Sequence, residues 1–166
     1  MDRLIAMRWH GVMTRLWEVL TAVSVVGSGL LAGVFFAFSA FVMSGLERLP
    51  DADGAAAMRS MNVTAVRPPL MIALFGVSGL CFAIIVWSLT TWSRPGAVWL
   101  LAGAILTIVG ALGVTIAINI PLNDRLAAGT VAWSRFVAGW DPANHARTLF
   151  CLAGCAVLLV GALRRY

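Results

Sequence analysis

Charge is what this chain of 166 residues has least of: 11% of its residues are Asp, Glu, Lys or Arg, against about a quarter in soluble domains. Lysine is absent, so all 12 basic residues are arginines, scattered over termini and loops without a contiguous run. Nucleic-acid recognition needs clustered cations with interleaved aromatics on a soluble face, and that pattern is missing. Histidine is nearly absent, with 2 in the chain, His10 and His145, at opposite faces of a four-span topology. Neither a bis-histidine haem site nor a three-histidine metal site can be completed from them. The 3 cysteines, Cys81, Cys151 and Cys155, lie in apolar runs without a Cys-x-x-Cys pair. They fit small buried apolar residues better than disulfide or metal ligation.

What the chain does have is apolar: 61% of its residues are hydrophobic and the mean hydropathy is +0.93. Each membrane span needs about 20 apolar residues to cross a hydrocarbon core of about 30 Å. The pattern predicts an all-α integral membrane protein, a single domain built as a four-transmembrane-helix bundle, with spans near residues 17–46, 70–91, 97–118 and 142–163. The arginine-bearing start also fits a secretory signal peptide, with Ala37 and Ser39 mimicking a cleavage site. Its apolar run, residues 19–43, is longer than the roughly 7–15 residues of such a segment, which predicts a retained span.

The first span carries Gly29-x-x-x-Gly33 and a Ser24/Ser28/Ala32 ridge, the second a stripe of Ile72, Gly76, Gly79 and Ala83, and the third Gly103, Gly110 and Gly113. Small residues let helices approach closely in lipid. Packing within the chain is expected, with a homo-oligomer contact as the alternative for the first pair. None of these three spans has a charge in its middle, which argues against ion channels, proton pumps and coupled transporters. Four spans put both termini on one side. Arg3, Arg8, Arg15, Arg94, Arg164 and Arg165 crowd the short flanks there, whereas Arg48, Arg59, Arg67, Arg125, Arg135 and Arg147 are spread over longer loops. That density predicts cytoplasmic termini, with loops one and three outside.

Most of the concentrated polar chemistry lies in residues 119–147. Pro121 is expected to end or kink the third span near Asn119. Leu122, Leu126, Gly129, Trp133, Phe136 and Trp140 then recur at helical spacing, predicting an amphipathic helix over residues 122–140, about 28 Å long at about 1.5 Å per residue, lying across the bundle mouth as a lid. Asp141-Pro142 reads as an N-cap followed by a first-turn proline, the start of the fourth span. In loop one, residues 54–66 are predicted to form a short helix with Met58, Met61 and Asn62 near one face and Arg59 beside them.

Loops one and three emerge on the same face, so Arg59, Asn62, Asn119, Asn123, Arg125, Asn144, His145 and Arg147 are expected to ring the mouth of the bundle beneath Trp133 and Trp140. An aromatic-lined concavity with a few convergent polar groups is the usual form of a small-molecule site. Plainer readings stay open for each component. Asn119 could satisfy backbone freed by Pro121, Asn144 could be a local cap, the tryptophans could be interfacial anchors, and the loop charges could simply be solvated.

The Gly33-Val-Phe-Phe-Ala-Phe-Ser39 stretch, Ala57-Met-Arg-Ser-Met-Asn62, Asn119-Ile-Pro-Leu-Asn123 and the series Trp133…Trp140…Asn144-His-Ala-Arg147, taken in this order, resemble the anthrone oxygenase-like family of small four-span membrane proteins. The resemblance implies oxidation of an anthrone to an anthraquinone by O₂ with no metal or flavin, hence no cofactor. It makes His145 the expected base, with Arg147 or Arg59 stabilising the developing oxyanion. Asn62, Asn119, Asn123 and Asn144 would orient ring oxygens while Trp133 and Trp140 stack on the flat substrate. The expectation is therefore a cofactor-independent oxygenase acting on a planar aromatic or hydrophobic small molecule. The alternative, from a different class, is a non-catalytic protein that binds a membrane lipid, quinone, haem or partner protein through the same ring.

Overall fold

A computed structural model describes the backbone of residues 2–164 and the side chains of residues 12–164. The expectations attached to Arg3, Arg8, His10 and Arg165 lie outside the described side chains. The fold is all-helical, and four helices are long and apolar enough to cross a membrane: Val12–Leu46, Pro68–Thr90, Ala97–Ala127 and Trp133–Leu163.

Helix α1 (Asp2–Ala37) passes through a π-helical turn, Phe38–Val42, into α2 (Met43–Leu46). Pro50 precedes α3 (Asp51–Ala65), whose first turn holds Asp51 and Asp53, where the exposed amides favour negative charge. Thus the short helix expected in loop one is present and three residues longer at its start. Pro68 and Pro69 open α4 (Pro68–Thr90), where a missing N–H has no cost. Gly96 takes a left-handed conformation, φ 85°, to reverse the chain before α5 (Ala97–Ile108).

The path beyond α5 differs from expectation. The chain does not break at Pro121. It widens through two π-helical turns, Val109–Gly113 and Thr115–Asn119, and continues into α6 (Ile120–Ala127) with Pro121 in its first turn. The widened turn accommodates a residue with no N–H to donate. The stop comes later, at a Schellman turn. Thr130 N–H donates to Arg125 O at 3.0 Å and Gly129 N–H to Leu126 O at 3.2 Å, with Gly129 at φ 68° in the left-handed position that glycine favours.

The amphipathic helix expected over residues 122–140 is therefore split between α6 and the start of α7 (Trp133–Leu163), and Asp141-Pro142 lies inside α7 rather than at its start. Pro142 is exposed, while Phe136 and Trp140 before it and Ala143 and Asn144 after it are buried. Packing of the inner face on both sides holds the helix continuous despite the lost hydrogen bond. The even apolar spacing across the Gly129 turn has the same origin, because Leu122, Leu126, Trp133, Phe136 and Trp140 all pack into one cluster.

Two apolar clusters divide the molecule. The first, with Leu31, Leu74, Cys81, Ile84, Leu100, Ala104, Cys151 and Leu158, sits among the spans. Here α5 and α7 meet through glycines: a Cβ on Gly103 would stand 2.6 Å from Leu158 N, and one on Gly161 2.9 Å from Leu100 N. Ser28 Oγ and Thr107 Oγ1 share a hydrogen bond of 3.1 Å between α1 and α5. Ser24, Ser28 and Ala32 are buried, so this ridge packs within the chain, whereas Gly33, Gly76 and Gly79 face open space.

The second cluster joins α2, α3, α6 and the first turns of α7 through Met43, Leu46, Ala55, Met58, Leu126, Trp133, Phe136, Val137 and Trp140. The spans explain its position. Val12–Leu46, Ala97–Ala127 and Trp133–Leu163 are 35, 31 and 31 residues long, roughly 47–53 Å at 1.5 Å per residue, against about 30 Å of hydrocarbon. Their surplus ends, bridged by α3, build a cap over one mouth of the bundle.

Candidate functional site

A cavity of about 220 Å³ lies where the cap meets the bundle, between α3, α4, the π-turns and α7. Its walls are Phe35, Phe38, Met58, Met61, Met71, Leu74, Leu112 and Trp140, and its polar members are Asn62, Thr115, Asn119, Asn123, Asn144 and Arg147. Three of its wall residues face outward between the spans, with Val66 68%, Phe75 61% and Ile116 60% exposed, so the cavity has a lateral rim toward the lipid.

The three π-turns flank this space and contribute Phe38, Leu112, Thr115, Ile116 and Asn119 to it. A π-turn inserts one extra residue and rotates the remainder of the helix about its axis. On α7, Trp140, Asn144 and Arg147 stand at i, i+4 and i+7 and share one face. Asn144 is fully engaged: its Nδ2 donates to Phe35 O at 2.7 Å and to Ser39 Oγ at 2.8 Å, and its Oδ1 accepts from Arg147 Nη1 at 3.3 Å. It fastens α7 to the π-turn of the first span and is not a helix cap. Asn119 Nδ2 donates to Trp140 O at 3.4 Å, tying the end of the π-turn Thr115–Asn119 to α7 rather than serving backbone freed by Pro121.

Arg147 is 8% exposed. Its guanidinium carbon lies 3.7 Å from the ring centroid of Phe35, within cation–π range. The one contact between a carboxylate and a basic side chain among the described residues is elsewhere, between His145 Nε2 and Asp141 Oδ2 at 3.5 Å, so no carboxylate neutralises Arg147. Four polar atoms on lining residues, Asn119 Oδ1, Asn123 Oδ1, Trp140 Nε1 and Arg147 Nε, are buried without a hydrogen-bond partner. Each such group costs about 1–3 kcal/mol, and four of them fall on residues that line one cavity.

The expected ring is thus brought together in large part and rearranged in the rest. Asn62, Asn119, Asn123, Trp140, Asn144 and Arg147 line one cavity. His145 does not: its side chain is 56% exposed and paired with Asp141, so the expected base is turned away from the cavity. Arg59 is half-buried and does not line it. Trp133 is buried in the cap, where its ring packs on Gly54, whose Cβ would stand 3.1 Å from it, and stacks with Phe136 at 5.6 Å. It packs inside the cap and does not line the cavity. Trp140 continues the ladder to Phe136 at 6.2 Å and to Phe38 at 5.8 Å.

Residues whose roles sequence reasoning missed are Phe35 and Ser39, which hold Arg147 and Asn144. Both stand in the Gly33–Ser39 stretch that carries the family resemblance, and their four-residue spacing puts them on one helix face.

A larger hollow, about 690 Å³, opens at the other end of the bundle, lined by Met13, Trp17, Glu18, Trp87 and Arg94 among others. None of the buried unpartnered polar atoms lies there.

Fold and cavity together define a four-span helical membrane protein with an apolar chamber whose lining includes four asparagines and Arg147. The sequence profile described as anthrone oxygenase matches residues 57–157, more than half of the chain, and the protein belongs to the anthrone oxygenase family. No curated protein and no solved structure matches it. The matched segment holds every asparagine of the cavity together with Trp140 and Arg147, while the Phe35 and Phe38 wall precedes it.

Proposed function

We propose that the protein is an oxygenase that uses O₂ on a flat, hydrophobic aromatic molecule held in the cavity beneath the cap. The supporting observation is that the family-matched segment contains all six polar residues of a chamber whose remaining walls are aromatic and apolar. The chamber, about 220 Å³, falls below the roughly 300–1,000 Å³ of usual ligand sites and suits a compact molecule of two or three fused rings.

The reaction is the replacement of a ring methylene by a ketone, with one oxygen atom of O₂ entering the product and the other leaving as water. Loss of a proton from the methylene gives an electron-rich enolate. That carbon reduces O₂ and bonds to oxygen as a hydroperoxide, and departure of hydroxide with the second methylene proton leaves the ketone and water. No cofactor is required by this balance. Asn62, Asn119 and Asn123 orient the ring oxygens, the Phe38–Trp140 pair presents flat apolar surface, and Arg147 faces the oxygen that carries negative charge. In this reading the substrate arrives from membrane lipid through the lateral rim, the termini face the cytoplasm, and the cap lies outside a bacterial inner membrane.

The test is oxygen uptake by the purified chain in lipid nanodiscs with 1,8-dihydroxyanthrone, following the anthraquinone absorbance. Quinone formation well above the uncatalysed rate, saturating with substrate, is expected. A rate equal to that of protein-free nanodiscs would remove the enzymatic reading and leave the non-catalytic binder.

A further inference from the structure

The larger hollow, about 690 Å³, lies at the end of the bundle away from the cap and within the roughly 300–1,000 Å³ of usual ligand sites. Its place follows from how α1 and α4 pair. The two helices touch where a side chain on Gly27 would run into Val77. Ten residues earlier on α1 and ten later on α4, Trp17 stacks on Trp87 with ring centroids 5.0 Å apart, the register of an antiparallel pair. The hollow lies at this indole pair, with Met13, Thr14 and Glu18 on one wall and Thr90, Thr91 and Arg94 on the other.

Its two charges are opposite in sign and do not meet. Glu18 is a half-buried carboxylate within the first span, where an ionisable group is costly without a partner, and no basic side chain among the described residues pairs with it. Arg94, in the turn after α4, has its guanidinium carbon 6.0 Å from the Trp87 centroid, at the outer limit of cation–π contact, and it faces no carboxylate among the described residues. Thr90 and Thr91 donate their hydroxyl hydrogens to Trp87 O at 2.9 and 2.7 Å, which leaves their oxygens as acceptors only. A cation bearing N–H groups thus finds Glu18 and two hydroxyl oxygens, and an anion finds Arg94. The surroundings set the depth. Trp92 and Trp99 are exposed at this end, as tryptophans are at a membrane–water boundary, and Leu16 and Val19 of α1 and Val86 and Leu89 of α4 present exposed apolar surface beside the lining residues.

We propose that this hollow holds the headgroup of a phospholipid that carries a primary ammonium beside its phosphate, as phosphatidylethanolamine does. The ammonium pairs with Glu18 and finds further acceptors at Thr90 and Thr91, the phosphate takes the fork of Arg94, and the acyl chains lie along the outer faces of α1 and α4. A choline headgroup has no N–H for these acceptors. A glycerol headgroup brings no cation to Glu18. The site is separate from the chamber beneath the cap and independent of the chemistry there.

The test is native mass spectrometry of the full chain, stripped of lipid in detergent and titrated with phosphatidylethanolamine, its mono- and dimethyl derivatives, phosphatidylcholine and phosphatidylglycerol, all with the same acyl chains. One retained phosphatidylethanolamine is expected, with affinity falling along the methyl series and at least roughly tenfold weaker for the choline and glycerol lipids, about the worth of one hydrogen bond to a charged group. Glu18→Gln should abolish the preference for phosphatidylethanolamine over phosphatidylglycerol, and Arg94→Gln should weaken every phospholipid. Should Glu18→Gln fail to fold, Thr91→Val, which keeps the side-chain shape and removes one acceptor, should still lose part of the preference. Soluble O-phosphoethanolamine should not displace the lipid. Equal affinity across the headgroups, no retained lipid, a preference that the variants leave intact, or displacement by O-phosphoethanolamine would overturn the proposal.

Discussion

Among the spans, α5 and the π-turn after it pack on α7 with their backbones almost touching, at Gly103, Gly110, Gly154 and Gly161, whereas the cap is filled by Met58, Leu126, Trp133, Phe136 and Trp140. The materials reflect the surroundings. In lipid no hydrophobic gain favours one apolar side chain over another, so close approach and the Ser28–Thr107 hydrogen bond carry the association. Where the helices outrun the hydrocarbon, burial of large aromatic area stabilises again. Two packings that differ this much in grain do not interlock, and the cavity occupies the layer between them.

Breaking the cap should produce the largest effect on stability. Trp133→Ala removes the indole lying on Gly54 and Phe136 and should cost about 3–5 kcal/mol, seen as a lowered Tm and faster proteolysis at the turn around Gly129. A wild-type Tm would mean that the cap is not a packed unit. Arg147→Met should reduce turnover roughly 100- to 1,000-fold while leaving Tm unchanged or higher, because an apolar side chain relieves the burial of a lone charge. If Tm and turnover fell together, Arg147 would be structural.

Breaking the bundle should come next. Gly154→Val forces a side chain against Thr107 and Gly103 O, the latter 2.9 Å from the new Cβ, and should cost about 1–3 kcal/mol in thermal unfolding. The fraction that folds should keep its ligand affinity. Trp140→Phe retains ring contacts with Phe38 and Phe136 and removes only the indole donor, so ligand binding should weaken roughly tenfold, about the worth of one hydrogen bond to a charged group. His145→Ala should be nearly silent, with turnover within about twofold and stability within about 0.5 kcal/mol. A large loss of turnover would restore His145 as the base and place the chemistry at the cap surface.

Residue 145 also shows what the sequence could and could not reveal. The number of spans and the short helix of loop one were legible from composition and periodicity, because each depends on local pattern. The division of labour between His145 and Arg147 was not. The two are about 200° apart around a helix of 3.6 residues per turn, so the partner face of α7 decides which of them meets a ligand. That face is set by Asn144 reaching Phe35 and Ser39, more than 100 positions earlier in the chain. Asp141-Pro142 misplaced the helix start for a related reason: capping rules weigh a few neighbours, and the burial of Phe136, Trp140 and Asn144 outweighed them. Trp133 and Trp140, alike in sequence, were separated only by which of them reached the edge of the cap cluster.

The lateral rim formed by Val66, Phe75 and Ile116 carries a kinetic consequence. A chamber that fills sideways samples its substrate as a mole fraction within the bilayer, not as a molarity in water. Adding protein-free vesicles at fixed total substrate would then raise the apparent KM in proportion to lipid, an instance of surface dilution. Rates measured in different detergents would become comparable only after correction for partitioning.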